Sequence, residues 1–554
     1  MRQGTKQLPH NRPSWAARLT APLALLAGLA TVPAIGQTQA PAQPQAPAPT
    51  SAQVSTPAAT PVVTTAYGPV QGLMKNGVNE FLGIPYAAPP VGPLRWMPPQ
   101  VPASWTQTKQ TTAFGNTCGQ LDRGIFAAPS NHEDCLYLNV YTPKAGDAGK
   151  RAVMVWFYGG GLFSGESNDY DGWKLANRGS VVVVTLNYRV GALGFFSHPA
   201  INAEGHPYAN YGIMDQQFAL KWVKQNIAGF GGDPNNVTIF GQSGGGTAVM
   251  ANLISPTAAG LFQKAINESG THIEVYDPKQ ALRNAEDLAK AAGCADQSAA
   301  CLRALPVAQV LKYQQVIVKD VVNDFPQIDG TVITHNAFDG FSHGQFNHVP
   351  ILTGLVADEQ SFFMPEIRTH KPLTAAGYAQ YAASFGAQHA DKLKAQYPLA
   401  SYASPTLAEI AMAEGFKACT ARQLDRAWTR YVPVYAYQFS DRTAPSYYPP
   451  LSYPMRAYHT AELEYLFPLF HGSRGTPHPL NAAQTQLSDR LVDYWTNFAK
   501  TGNPNEPKRT PFQWLRYAPA KDDVFDLNLG KDKVMARYGE AYDCKLWDQV
   551  VNRS

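Results

Sequence analysis

The N-terminal part of the sequence lacks the residues that a folded domain needs. No acidic residue precedes Glu80, and no cysteine precedes Cys118, which excludes attachment of the chain to a membrane as a lipoprotein. Residues 41–61 contain no charged and no aromatic side chain and consist mainly of Pro, Ala, Gln, Thr and Ser. Because such a segment has nothing to bury, we predict an extended linker over residues 41–61.

Residues 1–40 have the pattern of a secretory signal peptide. An apolar run from Leu19 to Val32 follows four basic residues, namely Arg2, Lys6, Arg12 and Arg18. At about 14 residues, the run is shorter than the ~20 residues of a membrane-spanning helix, which is the alternative interpretation. We therefore predict cleavage near residue 40, no integral membrane segment in the mature chain, and a secreted or periplasmic location.

The sequence also lacks an excess of one charge. It contains 45 Lys+Arg and 41 Asp+Glu, and four of the basic residues lie in the predicted signal peptide, so the remainder is formally neutral. A protein that binds nucleic acid needs a basic surface to neutralise phosphates, and this balance predicts no nucleic-acid partner. The hydrophobic fraction of 45%, with 27 Tyr, 25 Phe and 10 Trp, predicts instead a large packed core.

Metal-binding and phosphate-binding motifs are missing as well. There is no C-x-x-C pair, no H-E-x-x-H, no G-x-G-x-x-G and no G-K-[ST] ending, so we predict neither a metal nor a cofactor. Six cysteines in an exported chain favour disulfides, with free buried thiols as the alternative. The residues alone leave 15 possible pairings open.

The remaining chain, residues 62–554, shows no internal repeat and no second linker, which predicts one domain. Near-continuous apolar runs of strand length occur at 152–157, 181–186 and 237–240. An amphipathic helical pattern at 214–227 lies between the last two runs. This order predicts an α/β fold with a mostly parallel central sheet and helices on both of its faces.

A possible nucleophile lies in the segment Gly241–Gly245, which matches G-x-S-x-G around Ser243. The match follows the strand at 237–240, which a turn at 232–236 precedes, and it leads into a helical pattern at 247–254. At such a strand-to-helix elbow a serine hydroxyl projects above the sheet. The alternative is a glycine-rich turn that only permits close helix packing.

Three successive glycines, Gly159, Gly160 and Gly161, follow the strand at 152–157. Their N–H groups can donate to the oxyanion that develops during acyl transfer. Phosphate binding is the alternative, but the motifs for it are missing. We predict an oxyanion hole formed by Gly160, Gly161 and the N–H of Gly244.

Taken together, these motifs resemble the type-B carboxylesterase (cholinesterase-like) family. The resemblance covers nearly all of residues 66–550 and rests on FLGIPYA (81–87), EDCLYLNV (133–140), YGGG (158–161), NYR (187–189), GQSGGG (241–246) and WTNFAKTGNPN (495–505). It implies an α/β-hydrolase fold with large insertions around an active-site gorge. It also implies that carboxylic esters are hydrolysed by a Ser-His-Glu triad through an acyl-enzyme.

The triad acid should follow the apolar strand at 350–356, where Asp358 and Glu359 compete. The family motif D-E-G-S-x-F places Glu359 in the triad, with Gln360 where glycine is usual. Five histidines follow, and sequence logic alone does not choose among them. The resemblance of 459–467 to the family's H-G-x-E segment selects His459, with Thr460 where glycine is common.

The resemblance also implies structural roles. It implies the disulfides Cys118–Cys135, Cys294–Cys301 and Cys419–Cys544. It implies a buried ion pair between Arg95 and Glu133, and a serine behind the elbow at Ser269.

The substrate is less well determined by the sequence. We predict a small-molecule ester, neutral and aryl or alkyl, and a monomer or homodimer. Cationic choline esters should be poor substrates because no Trp lies between Cys118 and Cys135 and because the neutral Gln242 precedes Ser243. Amides, carbamates and lactones remain alternatives, as does a non-catalytic adhesion module.

Overall fold

The computed structural model describes residues 59–144, 150–271, 278–317, 326–530 and 532–551. The predicted signal peptide and most of the predicted linker lie outside these residues. Residues 59–61, assigned to the linker, pack on the fold instead: Ala59 forms a β-bridge with Leu73, and the N–H of the buried Thr60 donates to the carbonyl of Gly72. Residues 59–61 therefore belong to the described fold.

The described residues contain fourteen strands: β1 (Val63–Thr64), β2 (Pro69–Gln71), β3 (Leu73–Lys75), β4 (Val78–Pro85), β5 (Lys109–Gln110), β6 (Tyr137–Pro143), β7 (Arg151–Phe157), β8 (Val182–Leu186), β9 (Gly232–Gln242), β10 (Lys264–Glu268), β11 (Ile351–Val356), β12 (Val434–Phe439), β13 (Val524–Leu527) and β14 (Lys533–Met535).

The same residues contain seventeen α-helices: α1 (Trp173–Gly179), α2 (Gly191–Gly194), α3 (Pro199–Asn202), α4 (Tyr211–Asn226), α5 (Gly244–Ile254), α6 (Pro278–Ala291), α7 (Ala299–Ala304), α8 (Val307–Ile317), α9 (Ala337–Ser342), α10 (Glu366–Thr369), α11 (Ala375–Ser384), α12 (Ala387–Gln396), α13 (Pro405–Trp428), α14 (Leu463–Leu466), α15 (Ala482–Thr501), α16 (Tyr538–Ala541) and α17 (Cys544–Val551). Short 3₁₀ turns lie at Gly92–Leu94, Ser167–Asp169, Ile227–Phe230, Pro256–Ala258, Glu359–Phe363 and Leu399–Ser401.

Eleven of the described strands form one large sheet, in the order β14-β13-β12-β11-β10-β9-β7-β8-β6-β4-β3. All neighbours from β13 to β8 in this order pair in parallel, whereas both edges of the sheet are antiparallel. A small separate sheet has the order β1-β2-β5. The predicted mostly parallel α/β sheet is confirmed.

The central strands consist of continuous apolar runs because both faces of the sheet are buried there. Every residue of β8 is buried, as are all residues of β7 after Arg151, because helices including α1, α5 and α15 pack against these strands. The predicted turn at 232–236 is wrong, because β9 begins at Gly232. The register with β7 shifts between the Arg151 and Val153 pairs, so residues 233–236 bulge out of the ladder without ending the strand.

All six cysteines are paired in disulfides: Cys118–Cys135, Cys294–Cys301 and Cys419–Cys544. The third bond joins α13 to α17 inside a satellite hydrophobic cluster. Arg95 and Glu133 form the expected ion pair through two hydrogen bonds of 2.6 and 2.7 Å. None of the described helices combines the length and the apolar character needed to cross a membrane.

Candidate active site

Ser243 lies at the sharp turn between β9 and α5. Its backbone has φ 59° and ψ −122°, a conformation that L-residues rarely adopt, and its N–H donates to the carbonyl of Glu268 on the neighbouring strand. A Cβ at Gly245 would lie 2.0 Å from the carbonyl oxygen of Phe157. The strand and the helix can therefore approach closely only because glycine occupies this position.

The glycine loop after β7 faces this elbow. Gly160 and Gly161 have φ values of 116° and 63°, which favour glycine. A Cβ added to Gly244 would lie 2.6 Å from the backbone nitrogen of Gly161. The start of α5 and the glycine loop are therefore in direct contact, so the three amides predicted from the sequence belong to one small region.

Glu359 lies in the 3₁₀ turn that follows β11 and is 1% exposed. Its Oε1 accepts hydrogen bonds from Ser269 Oγ at 2.5 Å and from the N–H of Val356 at 3.1 Å, and its Oε2 is hydrogen-bonded to Nδ1 of His459. The serine expected behind the elbow therefore contacts the carboxylate directly. Ser269 itself has a strained φ of 53°.

The competing carboxylate, Asp358, points elsewhere. Arg442 Nε donates to its Oδ2 at 2.8 Å, and Arg456 lies 3.6 Å from its Oδ1. The N–H of Asp358 donates to the carbonyl of Ala457. Of the two carboxylates that the sequence left open, Glu359 is the one that reaches a histidine.

His459 is 4% exposed and is the one of the five histidines after Glu359 that contacts this carboxylate. The next residue, Thr460, has φ 80°, which explains why glycine is common at this position. Its hydroxyl is hydrogen-bonded to Tyr447 at 3.0 Å. This bond helps to hold the loop in a conformation that threonine alone disfavours.

The side chain of Gln242 connects the elbow to His459. Gln242 Nε2 lies 3.3 Å from Nε2 and 3.5 Å from Nδ1 of the imidazole. The amide nitrogen is thus nearly equidistant from the two ring nitrogens and in direct contact with the imidazole. Between the described side chains of Ser243 and His459 there is no hydrogen bond; such bonds often tighten only when substrate binds.

Burial and neighbouring charges set the pKa values of the acidic groups in the site. Burial by itself raises the pKa of Glu359, but His459, Lys417 and Ser269 lower it more, and the pKa falls below its ordinary value. Glu414 accepts the N–H of Gln360 at 2.7 Å, and burial raises its pKa to about 8. The carboxylate that contacts His459 therefore stays ionised while its neighbour Glu414 takes up a proton more easily.

Aromatic rings line the approach to His459. The centroids of the Phe362 and Phe363 rings lie 5.5 and 4.8 Å from that of the imidazole. Phe126, from the loop closed by the first disulfide, lies 6.1 Å from Phe362. A Cβ at Gly160 would lie 3.0 Å from the Phe126 ring. An apolar wall thus runs from the glycine loop to His459.

Sequence reasoning missed two residues of this site. The contact of Gln242 with the imidazole was not foreseen, although the residue was noted for its lack of charge. Lys417, whose charge lowers the pKa of Glu359, comes from α13 and carries no local motif. Its position is decided by the packing of α13 against the 3₁₀ turn that holds Glu359.

Comparisons with known proteins show the family to which the chain belongs. A model described as "Carboxylesterase family" matches residues 59–547. The chain is 34% identical over 459 residues to para-nitrobenzyl esterase of Bacillus subtilis (strain 168), which covers 80% of this chain and 90% of that protein. It is 33% identical over 540 residues to cocaine esterase of Homo sapiens, covering 89% and 92%. A solved PNB esterase structure superposes with a TM-score of 0.76 at 32% identity, covering 88% of this chain and 99% of that one.

The parallel sheet and the serine elbow define an α/β-hydrolase. Within that class, the chain belongs to the carboxylesterase family. It is a carboxylic ester hydrolase.

Proposed function

We propose that Ser243, His459 and Glu359 form the catalytic triad and that the ester is cleaved through an acyl-enzyme. The observation that carries this proposal is the buried Glu359–His459 pair next to an elbow whose serine has a strained backbone. Ser243 remains partly exposed, as a nucleophile must be, whereas the other two groups are buried.

Each group has a separate role in the proposed reaction. The imidazole of His459 accepts the Ser243 proton as the hydroxyl oxygen attacks the ester carbonyl, and it later donates that proton to the leaving alcohol. Water, deprotonated by the same imidazole, then hydrolyses the acyl-enzyme and releases the acid. Glu359 holds the ring in one tautomer and stabilises its protonated form.

The oxyanion of each tetrahedral intermediate is assigned to the amides of Gly160, Gly161 and Gly244. This assignment is supported by the close approach of Gly244 to the glycine loop. Donors that are already oriented do not have to reorganise as charge develops, and one such donor contributes about 10²–10³ in rate in other enzymes.

Neutral aryl or alkyl esters are the proposed substrates. The apolar wall formed by Phe126, Phe362 and Phe363 suits a hydrophobic acyl or alcohol group. The names of two relatives, para-nitrobenzyl esterase and cocaine esterase, refer to esters with aromatic parts and point in the same direction. Export is also proposed, because three disulfides persist best in an oxidising compartment.

The test is to replace the nucleophile. Ser243→Ala should lower the turnover of p-nitrophenyl esters by several orders of magnitude, because triad members act as a unit, and it should abolish labelling by a fluorophosphonate. An unchanged thermal melting curve is the control for folding. Activity above about a hundredth of wild type would require a different nucleophile. Anilides and carbamates, assayed in parallel, separate ester hydrolysis from its alternatives.

A further inference from the structure

Lys417 on α13 is a partly buried cation without a direct partner. Within the described part of the chain, its ammonium group makes no hydrogen bond and no ion pair. Its Nζ lies instead over the ring of Phe363, 4.3 Å from the centroid. The buried Lys264, by contrast, donates a hydrogen bond of 2.5 Å to Asn236. Buried lysines are normally paired with an acidic or polar group, and Lys417 lacks such a pair within the described residues.

Lys417 belongs to the wall of the site described above. The ring on which its ammonium group lies, Phe363, is 4.8 Å from the ring of His459. The two separations limit the distance from Nζ to the imidazole centroid to about 9 Å. Phe363 is 45% exposed, so a ligand can reach this part of the wall.

Three of the four carboxylate oxygens of Glu359 and Glu414 accept hydrogen bonds from groups other than Lys417. Both oxygens of Glu359 are taken up by Ser269, Val356 and His459. Glu414 Oε1 accepts the N–H of Gln360. Burial lowers the pKa of Lys417 below its ordinary value, and the charges of Glu359 and Glu414 offset this effect only in part. These carboxylates favour the charged ammonium group but leave its hydrogen-bonding positions free.

A second cation lies on an aromatic ring near the glycine loop. The residue before Ser243 is the neutral Gln242, and the guanidinium of Arg123 lies 4.3 Å from the ring centroid of Phe163, in the glycine-loop segment. Cations on aromatic rings therefore occur in the glycine-loop segment and in the apolar wall next to His459. A carboxylate on the substrate would meet attraction here, and a quaternary ammonium group would meet repulsion.

We propose that Lys417 is a specificity-determining residue that binds a carboxylate carried by the ester substrate. The enzyme then accepts monoesters of dicarboxylic acids, or esters formed by the hydroxyl of a hydroxy acid, in addition to neutral esters. The inference rests on the proposed function, because it concerns the same site. The substrate carboxylate takes no part in the bond changes: the ester and water still give an acid and an alcohol through acylated Ser243.

The test compares charged esters with neutral isosteres. The acyl-side probes are monoethyl succinate, glutarate, adipate and suberate, each paired with the ethyl ester whose far end is a primary amide. The alcohol-side probes are the O-acetyl esters of ω-hydroxy acids. Each is paired with the O-acetyl ester of the corresponding ω-hydroxy primary amide. Proton release in a pH-stat gives kcat/KM for both members of each pair, and the better series tells which part of the ester carries the carboxylate.

Three variants separate the role of Lys417 from general effects. Lys417→Met keeps the length and removes the charge, Lys417→Arg keeps the charge, and Lys392→Met removes a lysine from the exposed face of α12. In Lys417→Met the charged-to-neutral ratio of kcat/KM should fall by about 10- to 100-fold, chiefly through KM. The ratio should stay near wild type in the other two. Turnover of neutral esters should stay near wild type in Lys392→Met, and in the two Lys417 variants it serves only as the reference for the ratio.

Two results would overturn the inference while leaving the proposed function intact. In the first, neutral esters are hydrolysed but the ratio is the same in wild type and Lys417→Met. In the second, Lys417→Met lowers both members of a pair equally, which would make Lys417 a support for Glu359 and not a contact for substrate. Failure of the proposed function looks different, because neutral esters would then not be hydrolysed by the wild-type enzyme or would still be hydrolysed by Ser243→Ala.

Discussion

A carboxylate introduced at Gln242 should change the pH dependence of the enzyme. Gln242 Nε2 lies 3.3 Å from Nε2 of His459, so Gln242→Glu would place a negative charge against the imidazole. The proposed mechanism needs the neutral ring as a base, and a nearby anion favours the protonated ring. We therefore expect the acidic midpoint of the kcat/KM profile to move to higher pH.

The distance sets the size of the shift. Two unit charges separated by 3.3 Å interact by about 5 kcal/mol at an effective dielectric constant of about 20, which sets an upper bound of about 3.7 pH units on the shift. Gln242 is 1% exposed, so the new carboxylate loses hydration and is less fully ionised. The expected net shift is about 1–2 units, with activity largely recovered above the new midpoint.

The assay is kcat/KM for a p-nitrophenyl ester over a range of pH, read at the isosbestic wavelength of nitrophenol. Gln242→Met is the matched control, since it removes the amide without adding charge and should not raise the midpoint. Fluorophosphonate labelling at high pH checks that the variant is folded. An acidic midpoint that is unchanged or lower in Gln242→Glu would refute the close contact between this side chain and the imidazole.

Two further predictions concern stability and substrate choice. Reduction of the disulfides should lower the thermal midpoint, and the Cys419–Cys544 bond, which spans 125 residues, should contribute up to about 4–5 kcal/mol in the chain-entropy model. Equal midpoints with and without reductant, with six titratable thiols in the untreated protein, would contradict it. Butyrylcholine should have a kcat/KM at least about tenfold below that of its uncharged 3,3-dimethylbutyl isostere at low ionic strength, because no indole is available in the first disulfide loop. A preference for the charged ester would show that another group binds the cation.

Much of the fold could be predicted from short stretches of sequence because the signals are local. Strands such as β7 and β8 are covered by helices, so their residues are almost all apolar. The elbow around Ser243 needs glycine near the serine because a Cβ at Gly245 would clash with the backbone of Phe157. The error at the turn 232–236 arose because a bulge within β9 uses the same Asp, Pro and Asn residues as a turn.

The partners within the site could not be derived from local pattern alone. Asp358 and Glu359 are adjacent and both acidic, and the sequence chose between them only through a family resemblance. In the fold Asp358 turns to two arginines that lie more than eighty residues away, at Arg442 and Arg456. Glu359 turns to Ser269, ninety residues before it, and to His459, one hundred residues after it.

The sequence by itself therefore determined the α/β class of the fold and the elbow around Ser243, since strand periodicity, glycine sterics and the motif around Ser243 are properties of neighbouring residues. Tertiary structure alone decided which carboxylate meets which histidine, that Gln242 lies against the imidazole, and that Lys417 reaches the site from α13. The physical reason is that hydrogen bonds and charges act over a few ångströms in space, whatever the separation along the chain. Only packing brings those groups within that range.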